Sequence, residues 1–282
     1  MPYIFKCKTG EAYHIKVLAE LLTNNLKTGC FEISQSGIML KMFDHHRKTL
    51  VELNLDAENF SLYKFKQQEN FSLGLNLNHF HKMLKSIKKK DSLQLFINPQ
   101  FPTELGIKTI PKENTRITTS GIKIQTIQNL EIDIPKGYGK PVIVPSSEFQ
   151  KMCKDLSSIG SNNIKVIAKN FHIEFIADAD DILKRKVTFG ENEDSESDGE
   201  DTTTENVKIE YNATFATDQL SRITKLAGLS STMQIFPATN KLPLLFRSGI
   251  GSLGKISIYI KSKELSDTEM CTFNESEDSD ED

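Results

Sequence analysis

Two six-residue stretches carry the clearest chemistry in the chain: FHKMLK (Phe80–Lys85) and FQKMCK (Phe149–Lys154), each with two lysines three positions apart around a methionine. At the roughly 100° per residue of a helix, Phe80, Met83, Leu84 and Ile87 fall on one apolar arc, with Lys82 and Lys85 opposite. Phe149, Met152, Cys153 and Leu156 form the same arc in the second stretch, with Lys151 and Lys154 opposite. LSRITK repeats the pattern with Leu220, Ile223 and Ala227 inward and Arg222 and Lys225 outward. HIKVLA is a fainter fourth copy, with Lys16 in place and Ala19 where the second lysine would stand. One basic helix face is ordinarily just a solvated surface. Its recurrence points to a polyanion held by charge.

Other candidates for chemistry are weaker. Asp44, His45 and His46 stand together, but neighbouring histidines on an extended segment point to opposite faces and do not converge on a metal. His79 and His81 diverge in the same way on a helix. The chain contains no phosphate-cradling glycine loop, no nucleophile elbow and no paired CxxC. The reading is a binding or scaffolding protein, not an enzyme, with no cofactor and no metal.

The bulk properties agree. A chain of 282 residues can bury a substantial core without disulfides. Its four cysteines are scattered and suit a reducing compartment. The N-terminus is too polar for a secretory signal, and no apolar run reaches the roughly 20 residues of a membrane span, so an intracellular protein with no membrane partner is expected. The formal net charge of −3 hides an asymmetry. Of 38 acidic residues, 8 lie in ENEDSESDGEDTTTEN (Glu191–Asn206) and 8 in the tail Leu265–Asp282, neither of which contains Lys or Arg. Elsewhere 22 acidic residues face 35 basic ones, a balance of +13. Such a body suits nucleic acid, although solubility alone also favours net charge.

Helix signals recur near Ala12–Asn24, Leu77–Lys89, Ser146–Ser157 and Thr217–Ala227, at intervals of about 65 to 70 residues. Between them lie alternating strand-like runs such as TLVELNL, DSLQLFIN and KISIYIK, and SQSGIML and PATNKLPLLF read as hairpins. Four helix-plus-strand units grouped in pairs predict an α+β protein of two similar domains, each an antiparallel sheet with helices on one face. The expected boundaries are 1–128, a connector at 129–141, 142–264 with an acidic insert at about 190–206, and a disordered acidic tail at 265–282. The connector, NLEIDIPKGYGKP, spaces Ile132, Ile134 and Pro135 as a merely solvated linker has no need to.

SQSGIMLKMFDHHRKTLVELNL, GLNLNHFHKMLKSI, PSSEFQKMCKDLSSIG and LPLLFRSGIGSLGKISIYI, in this order, resemble the proliferating cell nuclear antigen family of DNA sliding clamps. The resemblance covers nearly the whole chain to about Lys263. It implies a homotrimer closed head to tail into a ring around double-stranded DNA, held by phosphate contacts that carry no sequence information. It also implies a processivity role for a DNA polymerase and loading by an ATP-driven clamp loader. Lys16, Lys82, Lys85, Lys151, Lys154, Arg222 and Lys225 are the DNA-facing positions by this resemblance, and Lys88 extends that basic side past the end of the second helix. Lys88, Lys89 and Lys90 also suit the C-terminal dipole of the second helix.

The family docks replication and repair proteins through a short peptide whose anchors fill a pocket under the connector. The matching positions are Phe43, Leu50, Ile132, Ile134, Pro243 and Tyr259. Phe43 stands where methionine is common, Lys48 where a small apolar residue is common, and the connector is one residue short. Lys169 falls where eukaryotic members carry a ubiquitin-modified lysine. The subunit seam would join Ile117–Thr126 of one copy to Ile182–Phe189 of the next, satisfying two open sheet edges. Serines among the acids, Ser195, Ser197, Ser276 and Ser279, suit acid-directed kinases. A monomeric or dimeric factor that grips DNA without encircling it, or a checkpoint clamp subunit, are the alternatives. The site of action is the nucleus or a cytoplasmic viral replication site.

Overall fold

The computed structural model describes residues 3–113, 116–128, 131–169, 172–179, 182–190, 211–238 and 242–268. The acidic insert, the central residues of PATNKLPLLF and the tail beyond residue 268 lie outside that range. The chain divides into two compact units, one of Met1–Asp133, Lys225–Ser231 and Arg247–Ile258, the other of Ile134–Thr224, Thr232–Phe246 and Tyr259–Asp282.

The first unit begins with β1 (Phe5–Thr9), α1 (Ala12–Asn25), β2 (Thr28–Ile33), β3 (Gly37–Phe43), β4 (Thr49–Asp56), β5 (Leu62–Phe65) and β6 (Phe71–Asn76). It continues with α2 (Leu77–Leu84), β7 (Ser92–Asn98), β8 (Phe101–Ile110) and β9 (Thr118–Lys123). β5-β1-β7-β8-β9 form one sheet, and β4-β3-β2-β6 stand side by side in another. Alternation makes the strands: along β7, Leu93, Leu95 and Ile97 are buried between half-exposed neighbours. Gly37 opens β3 at φ +151, where a Cβ would lie 2.0 Å from the Leu55 carbonyl oxygen. Asn76 caps α2 by accepting from the His79 N–H at 3.0 Å. Phe5, Ile15, Leu22, Leu53, Leu75 and Phe80 are all buried in its core.

The second unit holds β10 (Val142–Pro145), α3 (Ser146–Ser157), β11 (Asn163–Lys169), β12 (His172–Ala179), β13 (Leu183–Gly190), β14 (Tyr211–Ala216) and α4 (Thr217–Arg222). β15 (Thr232–Phe236), β16 (Leu244–Gly249) and β17 (Gly254–Ile260) follow, the last two divided between the units. β13-β12-β11-β14 form an antiparallel sheet, and β10 pairs with β15. Phe149 of α3 packs edge-on to Phe175 at 6.1 Å and against Phe246 at 5.6 Å, so the arc read from FQKMCK is core.

Several expectations need correction. α2 stops at Leu84 instead of running to Lys89, because the Asp91 carboxylate takes the Lys88 N–H at 2.9 Å and turns the chain. Met83 is 38% exposed and does not join the arc of Phe80, Leu84 and Ile87. The third basic helix is split, with α4 ending at Arg222 and a 3-10 segment taking Thr224–Gly228, so Lys225 is not on α4. The Thr224 hydroxyl donates to the Ser221 carbonyl there, competing with the helical ladder. Ala19 is 1% exposed, a core position and not a gap in a charged face. His45 and His46 sit in the turn between β3 and β4 with rings 5.2 Å apart, so they do not diverge. The tail does not lose structure at 265: residues 263–268 are helical, with Ser262 Oγ accepting from the Leu265 N–H at 3.1 Å.

Candidate nucleic-acid interface

The basic positions fall into two groups. Lys82, Lys85 and Lys88 are exposed on and just after α2, and Lys151 and Lys154 are exposed on α3, with Phe80, Leu84, Phe149, Met152 and Leu156 buried behind them. Lys16, Arg222 and Lys225 are half-buried. Lys16 is engaged within the protein: its Nζ donates to the carbonyls of Lys85 at 2.8 Å and Ile87 at 3.0 Å, closing the end of α2. It also lies 5.8 Å from the Tyr13 ring.

Three of the basic side chains have internal counter-ions. Lys151 pairs with Glu148 at 2.7 Å, Arg222 with Asp218, and Lys225 with Glu20 at 2.8 Å. The first two are i,i+3 and i,i+4 pairs legible in SSEFQK and TDQLSR, whereas Glu20–Lys225 needed the fold. Solvent-accessible pairs of this kind are weak and screened by salt. His81 reports the local field. Burial lowers its pKa, Glu20 opposes that, and Lys85, Lys16 and Lys225 push it down further.

The residues expected to hold a partner peptide lie in both units. Phe43 and Leu50 are register partners at the β3–β4 turn, Leu50 buried and Phe43 half-buried. Ile132 and Ile134 are half-buried in the connector, whose described residues 131–141 form no helix or strand. In the second unit, Tyr138, which sequence reasoning passed over, anchors the connector. Its hydroxyl donates to the Pro243 carbonyl at 2.7 Å, and its ring lies 6.1 Å from Tyr259 and 6.3 Å from Phe236. Burial, with the neighbouring Tyr259, raises the Tyr138 pKa above the ordinary tyrosine range. Lys169 ends β11, exposed and opposite His172.

The two segments named for the subunit seam are sheet edges. β9 is the last strand of its sheet, and β13 is the last of its own. Ile117, Ile182 and Leu183 at their ends are exposed by 49%, 83% and 55%, large apolar side chains left in water.

Sequence models of the N-terminal and C-terminal domains of proliferating cell nuclear antigen match residues 4–133 and 134–263. The chain belongs to the proliferating cell nuclear antigen family. Among its relatives, "Probable DNA polymerase sliding clamp 1" of Paramecium bursaria Chlorella virus 1 is 25% identical over 263 residues, covering 91% of this chain and 96% of the viral protein. Among solved structures, the proliferating cellular nuclear antigen of Entamoeba histolytica superposes with a TM-score of 0.78 at 20% identity, over 93% of this chain and 100% of the other, a match of fold. The α+β two-domain architecture expected from the recurring helix and strand runs, and the clamp fold implied by the resemblance, are those of this family.

Proposed function

We propose that this protein is a DNA sliding clamp, a homotrimeric ring that encircles double-stranded DNA and serves as a DNA polymerase processivity factor. The observation that carries the reading is the pair of exposed lysines on one helix of each unit, Lys82 and Lys85 on or just after α2 and Lys151 and Lys154 on α3, each set on an apolar face buried in its own core. Lysines present a strongly hydrated point charge that neutralises phosphate without reading base edges, which holds a duplex and leaves it free to slide. Lys16, Lys88, Arg222 and Lys225 complete the set of DNA-facing positions, and Arg222 and Lys225 can each trade an internal carboxylate for a phosphate.

Phe43, Leu50, Ile132, Ile134, Pro243 and Tyr259 are the positions assigned to docking the peptides of polymerase and repair proteins, and an ATP-driven loader opens the ring. The protein performs no chemistry itself. Lys169 is offered on an exposed strand end for modification. The ring acts in a nucleus or at a cytoplasmic viral replication site.

Light scattering on the purified protein, together with polymerase extension on long primed templates, tests the proposal. A trimer that lengthens the products is expected. A monomer that leaves product length unchanged overturns it, and tight binding of short linear DNA by such a monomer assigns a non-encircling factor instead.

A further inference from the structure

Beside the end of α2 the first unit carries a groove of about 740 Å³, lined by Lys88, Lys89, Lys90, Lys112 and Arg116 with Asp91, Glu113 and Thr118. Five cations face two carboxylates, and Asp91 is already occupied by the Lys88 N–H. Among the described residues Lys88, Lys90, Lys112 and Arg116 form no ion pair, whereas Lys151, Arg222 and Lys225 each do. A concave patch of unpaired cations is a site for a polyanionic segment.

We propose that the groove binds the acid-rich segment Glu191–Asn206 of a second copy of this chain. Charge and position select that occupant. The segment holds 8 acidic residues and no Lys or Arg. It begins at the residue after β13, which ends at Gly190 on the free edge of its sheet. The inference rests on the ring reading, in which β13 of one subunit pairs with β9 of the next. The sheets that supply these two edges are antiparallel throughout. Antiparallel pairing brings the end of β13 against the start of β9, at Thr118, and Thr118 is itself a wall of the groove. The segment's 16 residues span up to about 50 Å when extended, more than the groove requires. Eight acids then meet the cations of the neighbouring subunit beside the seam, and the contact weakens as salt screens it.

Cross-linking tests this in the full-length chain. Burial pushes the thiols of Cys7 and Cys153 up to about 12, and Cys30 is buried, so in a Cys271→Ser background only introduced cysteines react readily. Lys112→Cys with Asp194→Cys, treated with a short bismaleimide, should give covalent dimers and closed trimers on denaturing gels, and neither single variant should. Light scattering on the same sample separates the two readings. A trimer yielding only monomer-sized product overturns this inference and leaves the ring standing, whereas a monomer overturns both.

Neutralising the 8 acids to Asn and Gln should raise the subunit dissociation constant at least tenfold at low salt, with no difference from the unmodified protein at high salt. Changing Lys90, Lys112 and Arg116, none of which belongs to the DNA face, to Ala should do the same, and combining both sets should add nothing further. Additive effects overturn the pairing. So does an equal shift caused by truncating the chain after residue 268, which would make the tail the occupant, or by adding duplex DNA, which would make it DNA.

Discussion

Lys16 Nζ donates to the main-chain oxygen of Lys85 at 2.8 Å, so one member of the basic face holds the end of the helix that carries two others. Loss of this contact and the one to Ile87 should destabilise Lys16→Ala by about 1–3 kcal/mol, since hydrogen bonds to charged groups contribute that much. Lys82→Ala, on an exposed helix position, should change stability by less than about 0.5 kcal/mol. Urea unfolding of the two variants checks the contrast. Equal stabilities would show that Lys16 is only a surface charge.

Changing Lys82, Lys85, Lys151 and Lys154 together to Ala should weaken DNA association and shorten polymerase products while leaving the circular dichroism spectrum unchanged. Each lost phosphate contact should flatten the slope of log K against log salt by about 0.9. Lys151 has Glu148 as a competing partner, so its single substitution should flatten the slope less than that of Lys154. An unchanged slope in the fourfold variant would remove these helices from the DNA face.

His81 offers a pH test. Its folded pKa lies below the unfolded value of about 6.5, so the neutral form is favoured by folding. Stability from this group is present above about pH 6.5 and is lost as pH falls toward the folded pKa. DNA phosphates set among Lys85, Lys16 and Lys225 would offset their positive field and raise the His81 pKa. Binding should therefore take up a proton and tighten as pH falls through this range. An NMR titration of the His81 ring with and without duplex DNA reads this directly, and an unmoved pKa would place the DNA elsewhere.

Tyr138→Phe keeps the ring contacts with Phe236 and Tyr259 and removes the bond to Pro243. The variant should be about 0.5–1.5 kcal/mol less stable and should bind a partner peptide more weakly, because the connector loses its tether. The raised Tyr138 pKa means its stabilising contribution is intact below about pH 10 and lost as pH rises above that, so the two proteins should converge in stability at strongly alkaline pH. Alkaline unfolding curves of both decide it.

Leu183→Glu or Ile117→Glu should convert an oligomer to monomers without unfolding either unit, because each places a charge among the exposed apolar residues at a free strand edge. Sedimentation at several concentrations checks the outcome.

The periodicities of this chain were enough to determine that lysines sit opposite apolar arcs on helices in both halves. A lysine at i+2 and i+5 from a buried Phe80 or Phe149 can only point outward. Alternation in runs such as SLQLFIN marked the strands, whereas the pairing of Glu148 with Lys151 and Asp218 with Arg222, although at helical spacing, was not read from the sequence. What lay beyond the sequence depended on contacts between residues far apart in the chain. Lys16 meets Lys85 across 69 residues, Glu20 meets Lys225, and Tyr138 meets Pro243 across 105. Ala19 looked like an empty place in a charged face, yet it is core, because the packing of α1 sets which arc is buried and a small residue suits either side. Met83 errs the other way: an apolar side chain at the margin of an arc is left in water when α2 ends one residue later. Local spacing therefore determined which residues carry charge and which build the sheets. Which charges find a distant partner depends on packing, since an ion pair such as Glu20–Lys225 forms only where the fold brings remote segments together.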